Sequence, residues 1–178
     1  MRGQPAFDPQ LTRDEAVELA QRYDASEDAE AEAAGQAVRS GDFSAIHLRT
    51  VFRWKTRDRG KSRLARNADL EVKDALSLAT RAEVPRSAMA VLMGLHGVDV
   101  PVASAIMTVI RPDTYTILDF RALEALGNPT ADRSLPFYLA YLGYCAGLAA
   151  EWKMPLRHLD RALWQWSRER SAARRQKS

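Results

Sequence analysis

Along most of this chain, hydrophobic residues recur at the three- and four-residue spacing of helices that bury one face. The first such pattern follows Thr12, and Glu15 stands three residues later, which is the spacing of a capping box. The same periodicity predicts helices over residues 26–39 and 43–55. Residues 114–118 have the β-branched character of a strand, but no partner strand is evident, so an extended connector is expected.

The second half of the chain continues the helical pattern. The many charges and the glycine of residues 57–66 predict a loop, and Asn67 is expected to cap the helix after it. Five residues of that helix are expected to face the core: Leu70, Val72, Ala75, Leu76 and Ala79. Later helices are expected to begin at Pro85, Pro101, Asp119, residue 134 and Pro155. The predicted fold class is therefore all-α.

Composition restricts the function classes. The chain has 178 residues and a net charge of +3, enough for one domain or for two small lobes that share a core. Its single cysteine, Cys145, excludes an intrachain disulfide and a cysteine-held metal cluster. No signal-like or membrane-spanning apolar stretch is evident, so we expect a cytoplasmic protein without a membrane partner. No metal and no cofactor is expected, and the pattern does not specify an oligomeric state.

Charge is distributed unevenly. Between Asp8 and Asp42 there are ten acidic and three basic residues, whereas between Arg49 and Arg66 there are eight basic residues and one acidic residue. Cationic side chains interleaved with an aromatic ring suit nucleic acid, because cations neutralise phosphates and the ring can stack on a base. We therefore predict DNA contacts from six residues: Trp54, Lys55, Arg57, Arg59, Lys61 and Arg63. The alternative is a solvated loop beside a core tryptophan.

Residues 95–103 suggest a second contact with phosphate. They combine the end of one helix, a glycine turn and the small-residue start of another helix. Such a turn presents backbone N–H groups at the positive end of the second helix, where an anion is stabilised. The predicted contacts are His96, Gly97, Val98, Val100 and Val102. The alternative is that Gly97 only ends one helix and allows the turn to the next, without binding a ligand.

A carboxylate, Asp119, follows Ala103 by sixteen residues. A hairpin with this spacing to an aspartate resembles the helix-hairpin-helix DNA glycosylase superfamily, which includes endonuclease III. The resemblance covers residues 88–127 well and the rest weakly. It implies one compact helical unit, residues 1–178, of two lobes with a cleft between them. Residues 43–127 would form the lobe that holds the hairpin (about 88–111), and residues 1–40 with 128–178 would form the other.

The resemblance also implies an activity. Asp119 would catalyse hydrolysis of the N-glycosidic bond of a damaged, mismatched or modified base, stabilising the positive charge that develops on the sugar. Arg121 would contact phosphate or pair with Asp119. Pro101 stands where bifunctional members have a lysine, so a monofunctional enzyme is expected. Asp99 replaces a family glycine and would repel phosphate.

Four alternatives stay open. Asp119 has the residue type of an ordinary helix cap. Asp99 in the hairpin and the missing family lysine at Pro101 favour a non-catalytic helix-hairpin-helix DNA-binding module. The small size and the aromatic-rich C-terminal helices permit a helical interaction protein, such as a subunit of a DNA-processing or defence complex. The pattern does not distinguish RNA from DNA as the partner.

Overall fold

The computed structural model describes residues 5–176, and within them every regular element is a helix, which confirms the all-α prediction. None of these helices is both long enough and apolar enough to cross a bilayer. A short 3₁₀ turn, Ala25–Asp28, precedes the second helix. The helices are α1 (Arg13–Arg22), α2 (Ala29–Arg39), α3 (Ala45–Thr56), α4 (Lys61–Leu64), α5 (Asp69–Arg81), α6 (Pro85–Met93), α7 (Val100–Ile110), α8 (Phe120–Ala125), α9 (Leu135–Glu151) and α10 (Leu156–Gln176).

The helices group into two compact units. The central unit comprises Ala25–Tyr115, and the terminal unit comprises the residues up to Asp24 together with those from Thr116 onward. This division assigns residues 25–42 to the unit that holds the predicted hairpin. It assigns residues 116–127, which include Asp119, to the unit of the C-terminal helices. The boundaries therefore differ from the predicted ones of 43–127 and 1–40 with 128–178.

Helix α7 is the centre of the central unit. All its residues are buried except Pro101, and α2, α3 and α6 pack around it. Gly35 permits α2 to approach α7 closely, because a Cβ atom there would lie 2.2 Å from the carbonyl oxygen of Val109. A helix that is apolar on every side is expected to be enclosed in this way.

In the terminal unit, α10 packs against α1, α8 and α9. The capping box predicted at Thr12 is present: Thr12 N donates to Glu15 Oε2 at 2.7 Å, and the Thr12 hydroxyl accepts from Glu15 N. Of the predicted connector, residues 115–118 have no regular secondary structure and no strand partner, whereas Thr114 belongs to a turn in which its N–H donates to Arg111 O at 3.0 Å.

Three local predictions are wrong. Residues 57–66 are not all loop, because α4 forms there around the buried side chain of Leu64. Asn67 does not cap α5; its amide is used elsewhere, and Ala68 N donates instead to the Glu71 carboxylate at 2.7 Å. Leu70 is 75 % exposed, because it lies two residues, or about 200°, from the inward-facing Val72.

Candidate functional site

The predicted hairpin is formed by α6, a turn and α7. Gly97 occupies the left-handed region with φ +82°, which allows the chain to reverse between the helices. Asp99 is the N-cap of α7, and its Oδ1 accepts a hydrogen bond of 3.0 Å from Val102 N. Helix α7 therefore begins at Val100, one residue before the predicted start at Pro101.

The turn leaves backbone donors available. Among the described residues, the N–H groups of Gly97, Asp99 and Val100 have no hydrogen-bond partner. The Val102 N–H, by contrast, is occupied by the Asp99 carboxylate. Val98, Val100 and Val102 are buried as whole residues, with 6 %, 3 % and 5 % exposure. The N–H groups of Val98 and Val102 already donate to Leu95 O and Asp99 Oδ1, so the unpaired donors nearest the surface are those of Gly97 and Asp99. The turn can thus offer N–H donors to an anion beside a carboxylate that opposes it.

One buried side chain, Asn67, connects the hairpin to the basic segment. Its Nδ2 donates to Leu64 O at 2.8 Å and to His96 O at 2.9 Å, while its Oδ1 accepts from His96 N at 2.8 Å. The His96 side chain itself is exposed. Sequence reasoning missed this role, because an asparagine before a helix has the same local pattern whether it caps that helix or binds a distant loop.

A close backbone contact brings the same two segments together. A Cβ atom on Gly97 would lie 2.9 Å from Leu64 N and 3.3 Å from Arg63 Cβ. No side chain larger than hydrogen fits at that distance without a shift of the chain. The hairpin turn and the predicted DNA-binding segment, separated by some thirty residues in sequence, are therefore neighbours in the central unit.

The basic segment presents its cations at the surface. Arg57, Arg59, Lys61 and Arg63 are exposed, and none of them pairs with an acidic side chain among residues 5–176. Two upstream bases are occupied, since Arg49 lies 2.5 Å from Asp69 and Arg53 lies 2.8 Å from Glu30. Trp54 and Lys55, in the last turn of α3, are half-buried. The exposed cations without an acidic partner therefore begin at Arg57 and continue to Arg63, which is next to the hairpin turn.

Asp119 belongs to the terminal unit, where it caps α8. Its Oδ1 accepts a hydrogen bond of 2.9 Å from Arg121 N, and its side chain is half-buried. The structural role that the residue type predicts is thus present.

The connector before Asp119 is held by buried side chains instead of a strand. Asp160 Oδ1 accepts from Ile117 N at 3.0 Å and from the Thr116 hydroxyl at 2.9 Å. Tyr138 donates to Thr116 O at 3.1 Å, and Tyr141 donates to Ile117 O at 3.0 Å. Burial raises the pKa of Tyr141 well above its usual value, so its hydroxyl stays a donor. These bonds fix the backbone that carries Asp119.

The side chain of Arg121 is directed to its own unit. Its guanidinium lies 5.0 Å from the centre of the Phe120 ring and 5.4 Å from that of Trp164. It also lies within 3.4 Å of the Ser167 hydroxyl. The predicted pairing with Asp119 is therefore made by the Arg121 backbone, and the cation stacks on aromatic rings.

No group of three or more His, Cys, Asp or Glu side chains that could hold a metal ion occurs in the part of the chain that the structure describes. No protein-family model, no curated protein and no solved structure matches the chain. The resemblance to helix-hairpin-helix glycosylases therefore depends on the residues between the hairpin and Asp119.

Proposed function

We propose that the chain binds DNA through one continuous surface made of the hairpin turn and the basic segment. The observation that supports this most directly is the contact of Gly97 with Leu64, reinforced by the Asn67 bridge to His96. Two segments proposed independently as phosphate contacts thereby become adjacent. Unpaired turn amides provide directional donors, and the exposed cations provide attraction that does not depend on sequence.

We further propose that the chain is a monofunctional DNA N-glycosylase with Asp119 as its catalytic carboxylate. Loss of a base from the sugar builds positive charge on the deoxyribose, which a nearby carboxylate stabilises while it orients the attacking water. The rigid connector of residues 116–118 supports this role, because a carboxylate must be held in place before the reaction. The base to be removed is damaged, mismatched or modified.

The test is an assay of abasic-site formation on duplex DNA that carries a panel of altered bases. The Asp119→Asn variant should lose at least about a hundredfold in rate, yet remain folded, because asparagine also caps a helix. Asp113→Asn is the matched control, since Asp113 is an exposed aspartate in a turn six residues earlier. Base release that survives Asp119→Asn undiminished would remove this residue from the mechanism.

A second candidate is a non-catalytic DNA-binding module. It is favoured by the two capping bonds, because Asp99 occupies Val102 N and Asp119 occupies Arg121 N, as purely structural residues would. DNA binding that weakens with salt, without base release on any substrate of the panel, would select this function over the enzyme.

A further inference from the structure

The terminal unit contains an open cleft of about 530 Å³ that the predicted DNA-binding surface does not include. Its walls include Phe120 and Glu124 of α8 and Trp166, Arg170 and Arg174 of α10. Asp119 is not among the lining residues. The volume lies within the range of about 300–1,000 Å³ typical of small-molecule sites.

The cleft follows from regular helix geometry. Trp166, Arg170 and Arg174 are spaced by four residues, so they share one face of α10. Gln10 forms another edge of the cleft. Its N–H donates to Ala125 O at 2.8 Å and so anchors the N-terminal segment to the end of α8.

Gly127 tightens this edge. Its φ is +64°, and a Cβ atom there would lie 2.9 Å from both Asp8 O and Gln10 Nε2. The edge of the cleft is thus built from backbone contacts rather than from a loose chain end.

The lining carries one excess positive charge. Glu124 accepts from the Ser167 hydroxyl at 2.6 Å and pairs with Arg174 at 3.2 Å, so its carboxylate is compensated within the cleft. Arg170 has no carboxylate partner among residues 5–176, and its guanidinium lies 4.5 Å above the centre of the Trp166 ring. Stacking holds the guanidinium plane in place while its N–H groups stay available to an anion.

A flat apolar surface accompanies this charge. The Phe120 side chain lines the cleft and is 60 % exposed, although phenylalanine is usually buried. The Arg121 guanidinium lies over one face of this ring, 5.0 Å from its centre, so a planar group would stack on the other face. Phe120 and Arg170 therefore offer two kinds of contact in one cleft, one for a ring and one for an anion.

We propose that this cleft binds a nucleotide, with the base against Phe120 and the phosphate at Arg170. The proposal is independent of the function proposed for the hairpin. A free mononucleotide and an unpaired nucleotide of a single strand present the same base and phosphate, so the experiment must distinguish these two ligands.

The test is isothermal titration calorimetry of the full chain with adenosine monophosphate, with adenosine and with inorganic phosphate, each in a separate titration. Adenosine monophosphate should bind at least tenfold more tightly than either fragment. Phe120→Ala and Arg170→Gln should each weaken it at least fivefold, and because both residues are exposed, thermal unfolding should stay unchanged. The matched control is Arg168→Gln, since Arg168 stacks on Trp164 at 5.2 Å without lining the cleft.

Equal binding of adenosine and its monophosphate, or equal loss in Arg168→Gln and Arg170→Gln, would overturn the proposal. If a strand of five adenine nucleotides binds more than tenfold tighter than the mononucleotide, and Arg170→Gln abolishes this gain in affinity, the ligand of the cleft is a single strand. A strand that binds no tighter identifies the free nucleotide. The Arg59→Gln, Lys61→Gln double variant should keep this binding, which separates the cleft from the hairpin surface.

Discussion

At the scale of single residues, Asp99 and Asp119 each have a structural role as a helix cap and an effect on the proposed function. Each caps the helix that follows it through a hydrogen bond to a backbone N–H. Capping stabilises the helix start, and the negative charge also favours the positive end of the helix dipole. For Asp119 this agrees with the proposed catalytic role. For Asp99 it opposes the proposed phosphate contact, because its carboxylate stands at the turn that would receive the phosphate.

Replacing Asp99 should therefore change stability and DNA affinity in opposite directions. Asp99→Asn keeps a capping side chain but removes the charge, so the free energy of unfolding should fall by about 0.3–1 kcal/mol. DNA binding should become tighter, because the repulsion between carboxylate and phosphate is lost. Denaturant unfolding and a DNA titration measure the two quantities. An unchanged or weaker DNA affinity would contradict a phosphate contact at this turn.

Asp42 provides a test that is independent of function. Its Oδ1 accepts from Ser44 N at 3.0 Å, and its Oδ2 lies 2.7 Å from His47 Nε2. The hydrogen bond with His47, followed by those from Ser44, lowers the pKa of Asp42 well below its usual value. A carboxyl whose folded pKa is depressed stabilises the protein above its unfolded pKa of about 3.9 and loses this as the pH falls below it.

We accordingly expect the melting temperature to fall more in the wild type than in Asp42→Asn when the pH is lowered from 5 to 2. The other carboxylates titrate in both proteins, so the difference between the two isolates Asp42. Parallel curves for the two proteins over this range would show that the hydrogen bonds around Asp42 add nothing to stability.

At the scale of elements, periodicity predicted most helices because burial follows directly from the spacing of apolar residues. The cap at Thr12 and the absence of a strand partner for residues 115–118 were also predictable from local pattern. The packing of Gly97 on Leu64 and the Asn67 bridge were not, because they join segments remote in sequence. Periodicity also gave no sign of the cleft, although the four-residue spacing from Trp166 to Arg174 marks one of its walls.

The contact between hairpin and basic segment predicts a specific cost for Gly97→Ala. The new Cβ would meet Leu64 N at 2.9 Å in a left-handed residue, so a loss of about 1–3 kcal/mol in unfolding free energy is expected. Gly41→Ala is the matched control, because Gly41 has φ +99° but nothing within 4 Å of its added Cβ. Equal destabilisation of the two variants would show that only the backbone angle matters and that the close contact does not.

At the scale of the whole molecule, the net charge of +3 is a poor guide to a nucleic-acid partner. Acidic residues are concentrated before Asp42 and basic residues between Arg49 and Arg66. Arg49 and Arg53 form ion pairs with Asp69 and Glu30. The remaining cations of this stretch lie exposed beside the hairpin, namely Arg57, Arg59, Lys61 and Arg63. Attraction for DNA is therefore expected to depend on where these cations lie rather than on total charge.

The salt dependence of DNA binding tests this claim most directly. Each cation that contacts a phosphate contributes about 0.9 to the slope of log affinity against log salt concentration. The slope is negative, so the double variant Arg59→Gln, Lys61→Gln should reduce its magnitude by about 1.8. Arg81→Gln with Arg86→Gln, which changes the net charge equally at exposed positions outside the basic segment, should leave it unchanged. Equal slopes for the two double variants would contradict a DNA-binding surface at the hairpin.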